Sequence, residues 1–373
     1  MLLPTTRPAR PYFSSGPCAK PPGWTPEQLD TRVLGRSHRS GLGKQRLQLA
    51  IDLMRELLQL PVTHRIGIVP GSDTGAFEMA MWTMLGAGGV TTLAWESFGE
   101  GWVTDAVKQL KLDPAVIRAD YGQLPDLRQI DWSTDVLFTW NGTTSGVRVP
   151  DAEWIPADRA GLSFADATSA VFAYPIDWRK IDVATFSWQK VLGGEGGHGV
   201  LILGPRAVER LESYTPEWPL PKVFRLVSKG KLSEGIFTGE TINTPSMLAV
   251  EDAIFALEWA KRLGGLEALI ARSSANAAAL DRIVEARPWL NHLAADPATR
   301  STTSVCLTLD GADDARIKRI AKLLEAEQVA YDIASYRYAP PGLRIWCGAT
   351  VDAADVEALG PWLDWAWQET AQS

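Results

Sequence analysis

The sequence predicts an α/β protein: a mainly parallel sheet covered by helices on both faces, followed by a smaller α/β unit. Three observations carry this. Short apolar runs recur at 65–71 (RIGIVPG), 90–95 (VTTLAW), 135–140 (DVLFTW), 161–166 (GLSFAD), 182–187 (DVATFS) and 199–204 (GVLILG). Their apolarity is near-continuous rather than alternating, as in strands buried on both faces. A similar pattern returns on a smaller scale in SVCLTL (304–309), YDIASY (331–336) and LRIWCG (343–348), with the helix DDARIKRIAKLLEAE (313–327) among them. Finally, 373 residues exceed what one hydrophobic core usually supports.

Element by element, residues 1–30 are rich in proline and small residues and read as an extended surface segment. In GKQRLQLAIDLMRELLQL (43–60), Leu47, Ile51, Met54, Leu57 and Leu58 recur at helical spacing, and Pro61 follows. AFEMAMWTML (76–85) and GWVTDAVKQL (101–110) read as helices between the first strands. A long helix is expected to begin near Pro245 within NTPSMLAVEDAIFALEWAKRLGG, and a last one spans DAADVEALGPWLDWAWQET. The organisation that follows is an N-terminal segment (1–30), a large domain (31–260) and a small C-terminal domain (261–373).

Composition narrows the function classes. Lys+Arg 37 against Asp+Glu 44 gives a net charge of −7, which disfavours nucleic acid or an anionic membrane as principal partner. No run approaches the roughly 18 apolar residues of a membrane span. The three cysteines, Cys18, Cys306 and Cys347, are widely spaced without a CxxC, so neither a disulfide framework nor a metal site is expected, and a cytoplasmic location fits. Sixteen tryptophans offer large amphipathic surfaces, in keeping with a subunit interface.

Ligands of parallel α/β sheets sit at the carboxyl ends of strands, where three motifs fall. PGSDTGAFEMAMW leads from a strand through Ser72 and Thr74 into a helix, which suits an anion such as phosphate or, more plainly, an ordinary capped turn. SFADATSA places Asp166 at a strand end, where a buried carboxylate needs a cationic partner; a turn residue is the bland alternative. ATFSWQKVLGGEGGHG places Lys190 after a strand with Gly193, Gly194, Gly196 and Gly197 behind it. A phosphate loop would have its glycines before the lysine and Ser or Thr directly after it, but Val191 follows. A lysine poised for a covalent imine, with the glycines leaving room for a bulky group, suits the order better.

SFADATSAVF and TFSWQKVLGG together resemble the class V branch of the fold type I pyridoxal-phosphate enzymes, and within it the phosphoserine aminotransferase family. FSSGPCAKP, GRSHRSG, WNGTTSGV, FTGETINTPS and SYRYAPPGLRIW match in the expected order along nearly the whole chain. The resemblance implies a mixed, seven-stranded-type large-domain sheet and a homodimer with shared active sites. It makes Lys190 the residue that carries pyridoxal 5'-phosphate and shuttles the proton, and Asp166 the partner of the ring nitrogen. Thr143 would bond near the ring and Phe98 would stack on it, with Trp95 and Trp102 as rivals for stacking. Thr74, Gly75 and Gln189 would hold the phosphate, joined by Asn243 and Thr244 from the partner subunit. Substrate would be read by His38, Arg39 and Arg337 at its phosphate and by Arg344 at its α-carboxylate; the family commonly has His where Tyr336 stands. The implied reaction exchanges an amino group between L-glutamate and 3-phosphohydroxypyruvate, giving O-phospho-L-serine and 2-oxoglutarate in serine biosynthesis, with a second role in vitamin B6 synthesis left open. An alanine–glyoxylate or serine–pyruvate aminotransferase is the alternative within the class.

Overall fold

A computed structural model describes residues 2–372. In chain order the elements are α1 (Gly41–Leu57), β1 (Arg65–Pro70), α2 (Ser72–Met84), β2 (Val90–Ala94), α3 (Ser97–Thr104), β3 (Ala115–Arg118) and β4 (Asp135–Thr139). A two-residue hairpin follows, β5 (Asn141–Gly142) and β6 (Val147–Arg148), then β7 (Ser163–Asp166), β8 (Val183–Ser187), β9 (His198–Leu203) and α4 (Pro205–Ser213). Next come a short hairpin, β10 (Val227–Ser228) and β11 (Lys231–Leu232), and the helices α5 (Met247–Leu263) and α6 (Gly265–Glu285). The chain closes with β12 (Leu290–His292), β13 (Ser304–Leu309), α7 (Asp314–Ala326), β14 (Leu343–Trp346) and α8 (Ala353–Glu369).

The large sheet has seven strands in the order β1-β9-β8-β7-β4-β2-β3. Strands β3, β2, β4, β7 and β8 are mutually parallel, and β9 runs antiparallel to both β8 and β1. Successive residues of its strands feed opposite cores, as the pleat requires. Ile66, Ile68, Val136, Phe138, Ala184 and Phe186 join the layer holding α1 and α5, whereas Val69, Leu137, Phe164, Val183 and Leu201 join the layer holding α2 and α4. Both faces are dry, so the strand sequences show apolar runs without alternation.

Helix starts follow from local chemistry. Ser40 Oγ accepts from Gly43 N at 3.1 Å at the head of α1, and Ser246 Oγ accepts from Ala249 N at 3.3 Å at the head of α5. The latter helix begins two residues after Pro245, and Gly264 ends it with a φ of 120°. α3 begins four residues earlier than the periodicity indicated, capped by Glu96, and its last turn widens over 105–109.

The C-terminal residues form a second, antiparallel sheet, β12-β13-β14, covered by α6, α7 and α8. YDIASY, expected as a strand, makes only isolated bridges at Tyr331 and Ala334. Asp332, in the left-handed region at φ 56°, breaks the extension there. The chain before α1 joins this sheet to the large one: Tyr331 N donates to Pro11 O at 2.9 Å, Trp346 N to Phe13 O at 3.0 Å, and Cys18 N to Gln189 O at 2.9 Å.

Candidate active site

The parallel strands bring their carboxyl ends to one edge of the sheet. Across that edge Thr139 of β4, Asp166 of β7 and Thr185 of β8 lie abreast in the ladder. Lys190 stands three residues beyond the end of β8. Thr74, Phe98, Thr143, Asp166, Gln189 and Lys190 all line one cavity of about 110 Å³, together with Ser72, Asp73, Trp102, Thr139 and Thr168.

Lys190 is buried, and its ammonium donates to the Ser15 carbonyl. Burial pushes the amine below the usual lysine range and the Arg344 charge adds to this, against the opposing pull of Cys18, Asp166 and Glu96. A larger neutral fraction makes the amine a better nucleophile and proton acceptor. A side chain at Gly16 would collide with Nζ, so glycine there lets the N-terminal segment close over the lysine. Asp166 is also buried, and both its oxygens accept: Oδ2 from Trp102 Nε1 at 3.1 Å and Oδ1 from Thr168 N at 3.1 Å.

At the other end of the cavity, Gly71 turns the chain at φ 88°, and the amides of Gly71 and Ser72 donate to Gly197 O at 3.1 and 3.2 Å. This seats the first turn of α2 on the wall, where unpaired amides and the helix dipole favour an anion. Gly75 contributes differently from a donor. Its N–H is committed to Gly71 O at 2.8 Å, and its lack of a Cβ clears the Pro70 carbonyl.

Four buried polar atoms on this wall have no hydrogen-bond partner: Asp73 Oδ1, Thr139 Oγ1, Thr168 Oγ1 and Gln189 Oε1. So many unsatisfied groups in one place are costly unless a ligand satisfies them. The Thr139 and Thr168 hydroxyls are free to donate to a ligand, and a molecule with an anionic end at α2, a ring N–H toward Asp166 and an aldehyde within reach of Lys190 fits this wall; pyridoxal 5'-phosphate has those three parts.

Of the aromatic candidates, Trp95 is sealed in the core with its Nε1 on Val147 O at 3.0 Å, and Trp102 is tied to Asp166. Phe98 remains on the cavity wall, 5.6 Å from the ring of Tyr336. Arg344 lies 5.7 Å over that same tyrosine and Arg337 5.6 Å from it, so Tyr336 links the ring-facing aromatic to both arginines.

Elsewhere, His38 and Arg39 line a separate cleft of about 220 Å³ with Lys44, Gly239, Glu240 and Thr241. Neither they nor Asn243 and Thr244, two and three residues past that cleft's edge at Thr241, line the Lys190 cavity. The strip at 243–246 is fixed by Ser246 N donating to His198 Nε2 at 3.1 Å. The glycines after Lys190 do not hollow out the cavity as their position suggested. A Cβ on Gly193 would strike Ala19 O, one on Gly194 would meet the Trp188 Cβ at 2.9 Å, and Gly197 supplies the carbonyl that seats α2.

The sequence reasoning passed over two buried acids. Asp73 lies inside the PGSDTG turn, where a local reading offers only a capped helix start, yet its carboxyl faces Asp166. Glu96 caps α3, Oε1 accepting from Gly99 N at 2.8 Å and Oε2 from Thr144 Oγ1 at 2.7 Å, and burial pushes it up to about 7. All three thiols are buried and free, and burial raises Cys18 and Cys306 to about 12, which removes them as nucleophiles at neutral pH.

Residues 105–332 match the family described as Aminotransferase class-V. A phosphoserine aminotransferase of Methanosarcina barkeri is 58% identical over 367 residues, covering 98% of this chain and 99% of that protein. The chain belongs to the phosphoserine aminotransferase family. Its architecture agrees with solved structures of that family. A phosphoserine aminotransferase from Cytophaga hutchinsonii superposes with a TM-score of 0.83 at 22% identity, covering 95% of this chain and 98% of that one. One from Trichomonas vaginalis, solved with pyridoxal phosphate bound, gives 0.77 at 19% identity over 95% and 99%. Among the described residues no helix is long and apolar enough to cross a membrane.

Proposed function

We propose that this aminotransferase moves an amino group between L-glutamate and 3-phosphohydroxypyruvate, giving O-phospho-L-serine and 2-oxoglutarate, with pyridoxal 5'-phosphate held on Lys190. One observation carries the reading: a buried amine and a buried carboxylate share one cavity in a chain 58% identical, nearly end to end, to a phosphoserine aminotransferase. When bound, the cofactor supplies an aldehyde that condenses with amines and a pyridinium ring that draws electron density from the substrate.

The chain's own residues do the rest. Asp166, fixed by Trp102 and Thr168, presents a carboxylate to the ring N–H. The first turn of α2, with the Thr74 hydroxyl and Gln189, would receive the phosphate end, and Thr143 and Phe98 would contact the ring. Lys190 Nζ, low in proton affinity because it is buried, accepts the substrate Cα proton and returns it. Arg344 offers a planar donor pair to the α-carboxylate.

The placement of His38, Arg39, Asn243 and Thr244 off this cavity favours a homodimer, in which each chain lends that strip and Arg337 to the partner's site. The phosphate of phosphohydroxypyruvate and phosphoserine is then read by charged donors that alanine or glyoxylate would not use. A steady-state comparison tests this: phosphoserine should form from glutamate and phosphohydroxypyruvate, with alanine and glyoxylate poor. Hydride trapping and peptide mass spectrometry should place a pyridoxyl group on Lys190. Faster turnover of alanine with glyoxylate, or trapping on another lysine, overturns the reading.

A further inference from the structure

We propose that Asp73 is a positioning residue for Asp166: a neutral carboxylic acid that donates its O–H to the Asp166 carboxylate and holds it charged and aimed at the ring nitrogen. The inference rests on the cofactor site described above and adds a residue to it. Asp73 lies in the first turn of α2, 93 positions before Asp166, and the two acids line the same cavity, set against each other there.

The two acids have opposite surroundings. Asp166 accepts from Trp102 Nε1 and from the amide of Thr168, both at 3.1 Å, and Lys190 is a further positive group in its field. Asp73 is 7% exposed, and its Oδ1 has no donor. Thr185 and Thr168 face it, and Asp166 is the charged group set against it. Two carboxylates set against each other in a dry cavity resist ionising together, and the proton goes to Asp73, which has only threonine hydroxyls facing it, rather than to Asp166, which has an indole N–H and a backbone amide fixed on its two oxygens. Burial, and then the Asp166 charge, push Asp73 well above the usual carboxylate range. The start of α2 would by itself favour an anion there. A cofactor phosphate seated at the same turn would remove that advantage by adding like charge.

Protonated, Asp73 is a donor whose strongest acceptor is the Asp166 carboxylate, and Asp166 then holds three hydrogen bonds. Such an arrangement keeps the Asp166 charge fixed when the ring N–H arrives. The asymmetry also explains why a second acid is tolerated at a site that needs only one anion.

Infrared difference spectra of the protein with and without cofactor at neutral pH test this. In a Glu96→Gln background, which removes the other buried acid raised to about 7, a protonated-acid C=O stretch should be present and should be lost when Asp73→Asn is added. Fluorescence titration of the apoprotein with pyridoxal 5'-phosphate should show Asp73→Ala weakening affinity about tenfold, as for a lost hydrogen bond to a charged group. Asp73→Asn, whose amide still donates, should recover most of that loss, and Asp73→Ala should cost little further in an Asp166→Asn background. An acid band unchanged by Asp73→Asn, or equal and additive losses in both backgrounds, overturns the proposal. Hydride trapping on Lys190 in the same samples separates this failure from failure of the cofactor assignment itself.

Discussion

The two halves of the site are built to different standards. On the sheet edge, Asp166, Thr143 and Lys190 are buried, sit at or just beyond strand ends and are each fixed by short polar contacts. On the recognition side, Arg39 and Arg337 are exposed, and the strip with Asn243 and Thr244 is held mainly at one end by His198. Under the proposed function, chemistry that tolerates little misplacement sits on rigid elements, while selection of the substrate would fall to long exposed side chains that a second chain and a ligand could order. Specificity should therefore be separable from reaction.

The largest effect expected is on the buried half. Asp166→Asn should slow both half-reactions by a factor on the order of 10²–10³, because each needs charge on the ring nitrogen's partner. Single-turnover rates with glutamate and with phosphoserine check this, and a loss confined to one amino donor would break the comparison.

Stability against pH comes next. Glu96 is pushed up to about 7 from an ordinary 4.5, chiefly by burial, so its charged form is penalised in the folded state. Folding stability therefore declines as pH rises from about 4.5 to about 7, by an amount on the order of 3 kcal/mol at most. Glu96→Gln, which keeps an acceptor for Gly99 N, should flatten that slope in chemical denaturation series. An unchanged slope would show that the carboxyl is ionised at no cost.

The smallest effect belongs to the recognition half. Arg39→Ala should lower kcat/KM for phosphoserine about 10–100-fold, the usual worth of a charged hydrogen bond, while leaving glutamate within about twofold. Equal losses for both would place Arg39 in the fold or on a shared carboxylate.

Much of the fold could be read from the chain because strands buried on both faces leave no polar residues to blur them: VTTLA and HGVLIL are buried throughout. What escaped has physical reasons. β3 is an edge strand with a half-exposed pattern, and α6, GLEALIARSSANAAALDRIVE, carries so much Ala and Ser that no apolar stripe announces it. YDIASY has strand composition but lies beyond the reach of a partner over most of its length. In the site, Lys190 and Asp166 were legible from their strand ends. Asp73 was not, since its significance is a contact across 93 residues, and a local window sees only a helix start.

The ribbon from Ala9 to Cys18 has a practical consequence. It is hydrogen-bonded to Asp355, to Tyr331 and Trp346, and to Gln189, and its Ser15 carbonyl receives the Lys190 ammonium. Anyone recombining the C-terminal third among relatives must transplant this ribbon with it. Left behind, it would clamp a foreign module with mismatched side chains and carry the misfit straight to the amine.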